Sequence, residues 1–222
     1  MKVLAIYGAS GLGREVLELA RIINLRNKQW DDYIFINDGE VPPVVSNCTV
    51  YRYEDALSKF GGCLEIVLGI GEPSIRETLF SKIKKAGVPT PTLIHPDVYI
   101  PSSTTIGSGV VIQYGCFISC DVCIKDYVYI QPQCNIGHDD YLDEGCMISG
   151  FSNLGGIVHI GKWTYVGLSA AIKQLINIGS YSVVGMGAIV QKDIPDGVIA
   201  MGNPARVIAK NEEKHIFKYY AE

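Results

Sequence analysis

From Ile94 onward the chain places an aliphatic residue at every sixth position, through Ile100, Ile106 and Ile112 and without a break to Val184 and Val190, seventeen positions in all. Neither a 3.6-residue helix nor a two-residue strand alternation has this period, so the pattern predicts a solenoid that turns a corner every six residues. The residue after the aliphatic is Gly at 107, 137, 155, 161, 167, 179 and 185, and the residue two before it is usually small or β-branched, as at Thr104, Val122, Ser152, Thr164 and Ser182. A short strand that bends at its end needs these features: an inward aliphatic, a compact residue at the bend and a second small inward side chain. Three such strands close a triangular coil, which predicts a parallel β-helix of about five 18-residue coils between Ile94 and about Val190.

The first 92 residues have another texture. A strand over 3–7 leads through a glycine turn into a helix with apolar Val16, Leu17, Leu19, Ala20 and Ile23; further strands read over 33–37 and 64–70, and helices near 54–60 and 74–86. This pattern predicts a small Rossmann-like α/β unit. Three regions follow: the α/β unit over 1–92, the solenoid over 93–210, and a C-terminal piece over 211–222, in which 212–220 reads as a short helix that caps the open end of the solenoid.

The turn GASGLG at 8–13 is spaced G-x-x-G-x-G, not the G-x-G-x-x-G of dinucleotide enzymes, so it speaks little for a nicotinamide cofactor. The backbone amides of Ser10, Gly11 and Leu12 and the helix N-terminus behind them are candidates for holding a diphosphate. Asn37 and Asp38, at the end of the second strand, are candidates for a ribose or base, and Gly71, after the third strand, for a close backbone approach. A tight strand-to-helix turn with no ligand is the alternative.

Composition narrows the class. With 48% hydrophobic residues, 19% charged residues and a net charge of −4, a globular chain without the basic footprint of a nucleic-acid binder is expected. The longest apolar runs, such as 64–70, fall far short of a membrane span, and 1–10 lacks the pattern of a secretory signal. Seven cysteines, an odd number, read as reduced thiols used as small hydrophobes, which fits a cytoplasmic protein.

One rung breaks the hexad rule with charge. After Ile136 come Gly137, His138 and Asp139, and the small inward position falls on Asp140; the other exception, at Ile176, is apolar. A buried unpaired carboxylate is costly, so this rung is expected to be distorted, turned to solvent or paired with the imidazole. His138 is the solenoid's one histidine beside an acid, which suits a general base working near neutral pH, whereas His159 reads as an outward rung residue. A three-histidine zinc site is not expected. Cys134 and Cys146 are the alternative, as nucleophiles.

GASGLG, GIGEPSIR at 69–76, LIHPDVYI at 93–100, the hexads, GHDD at 137–140 and GNPAR at 202–206 together resemble the bacterial sugar acetyltransferases of the left-handed β-helix class. These include N-acetyltransferases of nucleotide-linked 4-amino sugars, such as the bacillosamine and perosamine enzymes, and O-acetyltransferases of sialic acid biosynthesis. Hexads alone are shared with serine, maltose and lipid A acyltransferases; the small unit in front is the more restrictive feature. The resemblance implies a left-handed solenoid, a homotrimer with sites between adjacent β-helices, acetyl-CoA as co-substrate along the groove, and a nucleotide-activated amino sugar held by the N-terminal unit. Its acceptor would be a 4-amino-4,6-dideoxy sugar destined for surface glycan, acetylated by direct attack. The family's base falls on His138, its partner acid on Asp139, and the glycine beside the thioester on Gly156. Where many relatives carry a second histidine that contacts the acetyl thioester, nine residues after the base, this chain has Met147, which is the candidate for that place beside the cofactor. Lys192 and Arg206 are candidates for the CoA phosphates, and outward Val111, Phe117 and Ile157 for subunit contacts. O-acetylation of a sialic acid is the runner-up, and a non-catalytic nucleotide-sugar sensor or assembly module is the reading from another class.

Overall fold

The computed structural model describes residues 1–216. The N-terminal unit is a five-stranded sheet, in which β1 (Val3–Tyr7) lies between β2 (Asp32–Ile36) and β5 (Leu64–Leu68), both parallel to it. A hairpin of β3 (Val44–Val45) and β4 (Cys48–Tyr51), not foreseen from the hydrophobic pattern, extends the edge next to β2. Helices α1 (Gly11–Arg26), α2 (Tyr53–Phe60) and α3 (Pro73–Ala86) complete the unit. β1 is buried at every position, so it reads as a continuous apolar run.

The remainder is a left-handed parallel β-helix. Two-residue strands recur every six residues from Thr105–Ile106 to Ile189–Val190, and each as far as Ala171–Ile172 pairs in parallel with the strand 18 residues on. The aliphatics of the hexads, with small inward residues such as Val110, Cys134, Cys146 and Ala188, fill the lumen as one apolar cluster. Inward hydroxyls are bonded between coils: Thr164 Oγ1 donates to Gly179 O at 2.6 Å and accepts from Ser182 N–H at 3.2 Å.

The glycines after the aliphatics serve close approach. A Cβ on Gly155 would fall 2.5 Å from Gln174 N, in the backbone of the next coil. The left-handed backbone conformation comes later in each corner and is carried by side chains as large as Tyr127 (φ 58°), Trp163 (φ 52°) and Leu175 (φ 64°). Each costs about 1–2 kcal/mol of local strain, accepted because the corner cannot turn otherwise.

Each face of the prism has a distinct environment. The face bearing Val111, Tyr129 and Met147 packs under α1, in one cluster with Val16, Leu17 and Leu19. Val111 is therefore buried by its own N-terminal unit and offers nothing to a neighbouring subunit, contrary to expectation. The corner bearing Tyr127 and Trp163 packs against Phe80 of α3. There the buried Arg76 donates to Ile70 O and Tyr127 O, tying α3 to the solenoid. The face bearing Tyr141 and His159 is outward and polar, and His159 stands edge-on to the Tyr141 ring. On the third face Phe117 is exposed, and Leu168, Met186, Ile157 and Leu175 are exposed along its two bordering corners.

After the last coil, Val198–Met201 and Arg206–Lys210 form an antiparallel hairpin. Of the expected terminal helix, 212–216 form a turn and a bend, and 217–220 lie outside the described residues.

Candidate active site

His138 and Asp139 sit at the corner between the polar face and the exposed apolar face. His138 Nδ1 lies 2.7 Å from Asp139 Oδ2, and both side chains are about half exposed, at 56% and 55%. The pairing leaves Nε2 as the outward ring nitrogen; with Nδ1 as the protonated, donating atom, Nε2 is the basic one. Asp139 takes the left-handed corner conformation (φ 60°), which Asp tolerates better than most residues.

Gly156 stands one coil on at the same corner. A Cβ there would fall 2.4 Å from His138 Nε2, so any other residue would collide with the imidazole. Among the described residues the Gly156 N–H is donated to no protein acceptor. The same corner continues through Gln174 to the exposed Lys192, each step being one 18-residue coil. Beside Lys192 is a shallow cavity of about 530 Å³ lined by Ala171, Lys173, Ile189 and Gln191. Arg206 is exposed on the terminal hairpin, where Ala205 N–H donates to Ile189 O at 2.8 Å.

Met147 is not part of this grouping. Nine residues are half a coil, so Met147 lies across the prism from His138, 2% exposed in the cluster beneath α1. A thioester contact from it is thereby corrected to a packing role. Cys134 and Cys146 point into the lumen, 1% and 0% exposed, and burial holds the Cys146 thiol well above its ordinary value, so neither is placed as a nucleophile. Cys120 and Cys123, three residues apart near the corner, are free thiols. Among the described residues no group of three or more His, Cys, Asp or Glu could hold a metal ion.

Asp140 was the anomaly of the hexads, and it is 1% exposed. The imidazole pairs with Asp139, and the Asp140 carboxylate instead accepts Gly137 N–H and Val158 N–H, each at 2.8 Å. Burial pushes its carboxyl up to about 7, against the pull of these two N–H groups and of His138.

The glycine turn of the N-terminal unit forms a second locus. Gly13 is required by close approach, since a Cβ there would lie 1.8 Å from Gly8 O. Ser10, Gly11 and Leu12 lead into α1, and Ser10 makes no side-chain cap, so the first-turn amides face outward as a helix N-terminus does. Asn37 Oδ1 accepts Gly39 N–H at 2.8 Å, an Asx turn. The Asp38 carboxylate is taken by Tyr7 Oη–H, Tyr53 N–H and Lys82; burial opposes its ionisation, but these partners hold its carboxyl below the ordinary value. Gly71 is half-buried in the loop after β5.

Between the first helix and the solenoid runs a cleft of about 960 Å³, lined by Gly11, Arg14, Glu18, His95, Gln113 and Gln131 and, at its far wall, by Pro132, Gly150, Phe151 and Leu168. Sequence reasoning missed it, since its walls come from α1 and from solenoid coils far along the chain. The cleft opens at the corner bearing Tyr114 and Leu168, not at the corner bearing His138.

Residues 3–83 match the family model described as the PglD N-terminal domain. No curated protein sequence matches the chain. Among solved structures, the acetyltransferase domain of PglB from Neisseria gonorrhoeae is 29% identical, with a TM-score of 0.87 over 94% of this chain and 100% of that one; a further structure of that domain holds acetyl coenzyme A. PerB from Caulobacter crescentus, in complex with CoA and GDP-perosamine, is 27% identical, with a TM-score of 0.84 over 94% of this chain and 98% of that one. WeeI from Acinetobacter baumannii is 28% identical, with a TM-score of 0.66 over 94% of this chain and 100% of that one.

Proposed function

We propose that this chain, which belongs to the bacterial sugar acetyltransferases of the left-handed β-helix class, moves an acetyl group from acetyl-CoA to the amine of a nucleotide-linked 4-amino-4,6-dideoxy sugar. The observation that carries this reading is the His138–Asp139 pair set against the side-chain-free Gly156 at an exposed corner. The sugar nitrogen attacks the thioester carbonyl carbon; the C–N bond forms as the carbonyl electron pair moves onto oxygen. His138 Nε2 takes the amine proton, and Asp139 stabilises the imidazolium. The Gly156 N–H is the donor for the oxyanion. Collapse re-forms the carbonyl and expels the CoA thiolate, which takes the proton back from His138.

The other roles are distributed as follows. Acetyl-CoA lies along the corner from Gly156 toward Lys192 and Arg206, whose charges attract its phosphates. The amides of Ser10, Gly11 and Leu12 hold the diphosphate, and Asn37, Asp38 and Gly71 border the nucleoside. The working form is a homotrimer. Supporting this are the exposed apolar face with Phe117 and its two apolar corners, and the location of the 960 Å³ cleft and His138 on different corners of one prism. Cyclic packing brings the His138 corner of one copy to the cleft of the next. No helix among the described residues is long and apolar enough to cross a membrane, in keeping with a cytoplasmic enzyme that meets acetyl-CoA there.

The test is release of free CoA thiol from acetyl-CoA with UDP-, dTDP- and GDP-linked 4-amino sugars, set against free sialic acid. Turnover with an amino sugar is expected. Turnover with sialic acid alone moves the assignment to O-acetylation, and silence with both leaves a binding module.

A further inference from the structure

From Gly107 to Lys173 the residue after an aliphatic typically donates its N–H to a carbonyl of the next coil. Ser119 reaches Ile136 O at 3.1 Å, Asp143 reaches Ile160 O at 2.9 Å, and Gly155 reaches Ile172 O at 2.9 Å. Among the described residues the ladder from Gly107 to Lys173 has one interruption. Gly137 N–H, whose register partner is Leu154 O, goes to the Asp140 carboxylate, and the two strands there share the single pair Asn135–Asn153 where others share two. The interruption lies one residue before His138.

Neighbouring rungs show what the inward position ordinarily does. Thr104 Oγ1 accepts Val122 N–H from the coil above and donates to Ser119 O, and the regular ladder survives. An ionised Asp140 keeps the upward acceptance, from Val158 N–H, but has no proton to donate. Its second oxygen turns back three residues to Gly137 N–H instead. One carboxylate thus joins the turn carrying His138 to the residue two beyond Gly156, the two groups on which acetyl transfer was placed above.

We propose that Asp140 is a positioning residue for acetyl transfer: its carboxylate opens the ladder at Gly137 and sets the spacing between the His138 imidazole and the Gly156 N–H. The inference rests on the function proposed above. Burying this carboxylate also works against folding. Its raised value means that the folded chain binds the proton more tightly than the unfolded one, so Asp140's contribution to stability is full below about pH 4 and is lost as pH rises through about 7. A threonine would satisfy the rung without that loss, so the carboxylate is not explained by stability. The charged groups acting on it are His138, which favours the ionised form, and Asp139, which disfavours it. On the rungs stacked to either side the ionisable residues are Cys120, Asp121, Cys123 and His159. On protonation Asp140 gains a donor and loses the Gly137 N–H as partner, so the rung returns to the hydroxyl pattern.

The test compares Asp140→Thr and Asp140→Ser with the unmodified chain and with His138→Ala, using acetyl-CoA and the best amino sugar of the panel above. Both Asp140 variants are expected to fold, with unfolding temperatures at pH 8 no lower than that of the unmodified chain. Their kcat should fall between about 10- and 100-fold, the scale of an ångström-sized misplacement, with the KM for acetyl-CoA within about twofold. The acid limb of log kcat against pH, steeper than one proton in the unmodified enzyme, should become a one-proton limb. Unchanged kcat and limb in either folded variant, beside an inactive His138→Ala, overturns the positioning role and leaves the reaction intact. Activity lost only in proportion to lost folded protein also overturns it. Full activity in His138→Ala overturns the reaction itself.

Discussion

At the scale of single residues the site is a matter of what an imidazole can reach. His138→Ala should lower kcat by about 10²–10⁴-fold, the usual range for a general base, with the fold unchanged because the ring is half exposed. Gly156→Ala tests the same geometry from the other side: its Cβ would fall 2.4 Å from Nε2, so kcat should drop steeply while the unfolding midpoint moves little, the collision being with a side chain that can swing into solvent. Stopped activity with normal melting curves in both variants is the expected pattern. His138 was legible in the sequence because it alone among the solenoid histidines adjoins an acid. Asp140 was legible as an anomaly and not as a solution, since its partners are the backbone amides of Gly137 and Val158, and an amide carries no sequence signal. Met147 packs beneath α1 because nine residues are half a coil, and half a coil from His138 falls on the face that the N-terminal unit covers.

At the scale of elements, each coil is held to the next by a ladder that side chains supplement. Thr164→Val keeps shape and volume but strands Gly179 O and Ser182 N–H, and should cost about 1–3 kcal/mol in urea unfolding, the range for buried polar groups left without a partner. In the N-terminal unit, Gly13→Ala drives a methyl to 1.8 Å from Gly8 O, which α1 can escape only by lifting off β1. Binding of a nucleoside diphosphate, read by calorimetry, should be lost in that variant. Strands and helices of this unit fell within a few residues of their expected ranges, because β1 and β5 are apolar runs of strand length and α1 carries a clear helical period. The hairpin of β3 and β4 escaped because two- and four-residue strands are too short to show one.

At the scale of the whole molecule the proposed site belongs to two copies. Gly11→Asp should be sterically mild, the nearest atom beyond the helix's own backbone being Arg14 Nη2 at 4.0 Å from the new Cβ, yet it sets a carboxylate where a diphosphate would bind. Gly11→Asp and His138→Ala should each be inactive alone. When the two chains are co-expressed in equal amounts, about a quarter of full activity should return, because in a random cyclic trimer about one site in four pairs an intact His138 with an intact neighbouring cleft. No recovery would place both groups in one chain. The solenoid, its register and the corner carrying His138 can be read from the order of residues, because every rung repeats the same contacts six and 18 residues away and so writes its period into the chain. Which face α1 covers, which face stays bare, where the 960 Å³ cleft opens and how a buried carboxylate is satisfied emerge only in the folded chain. Those depend on surfaces meeting across long stretches of chain, and a side chain's exposure is set by what comes to lie over it.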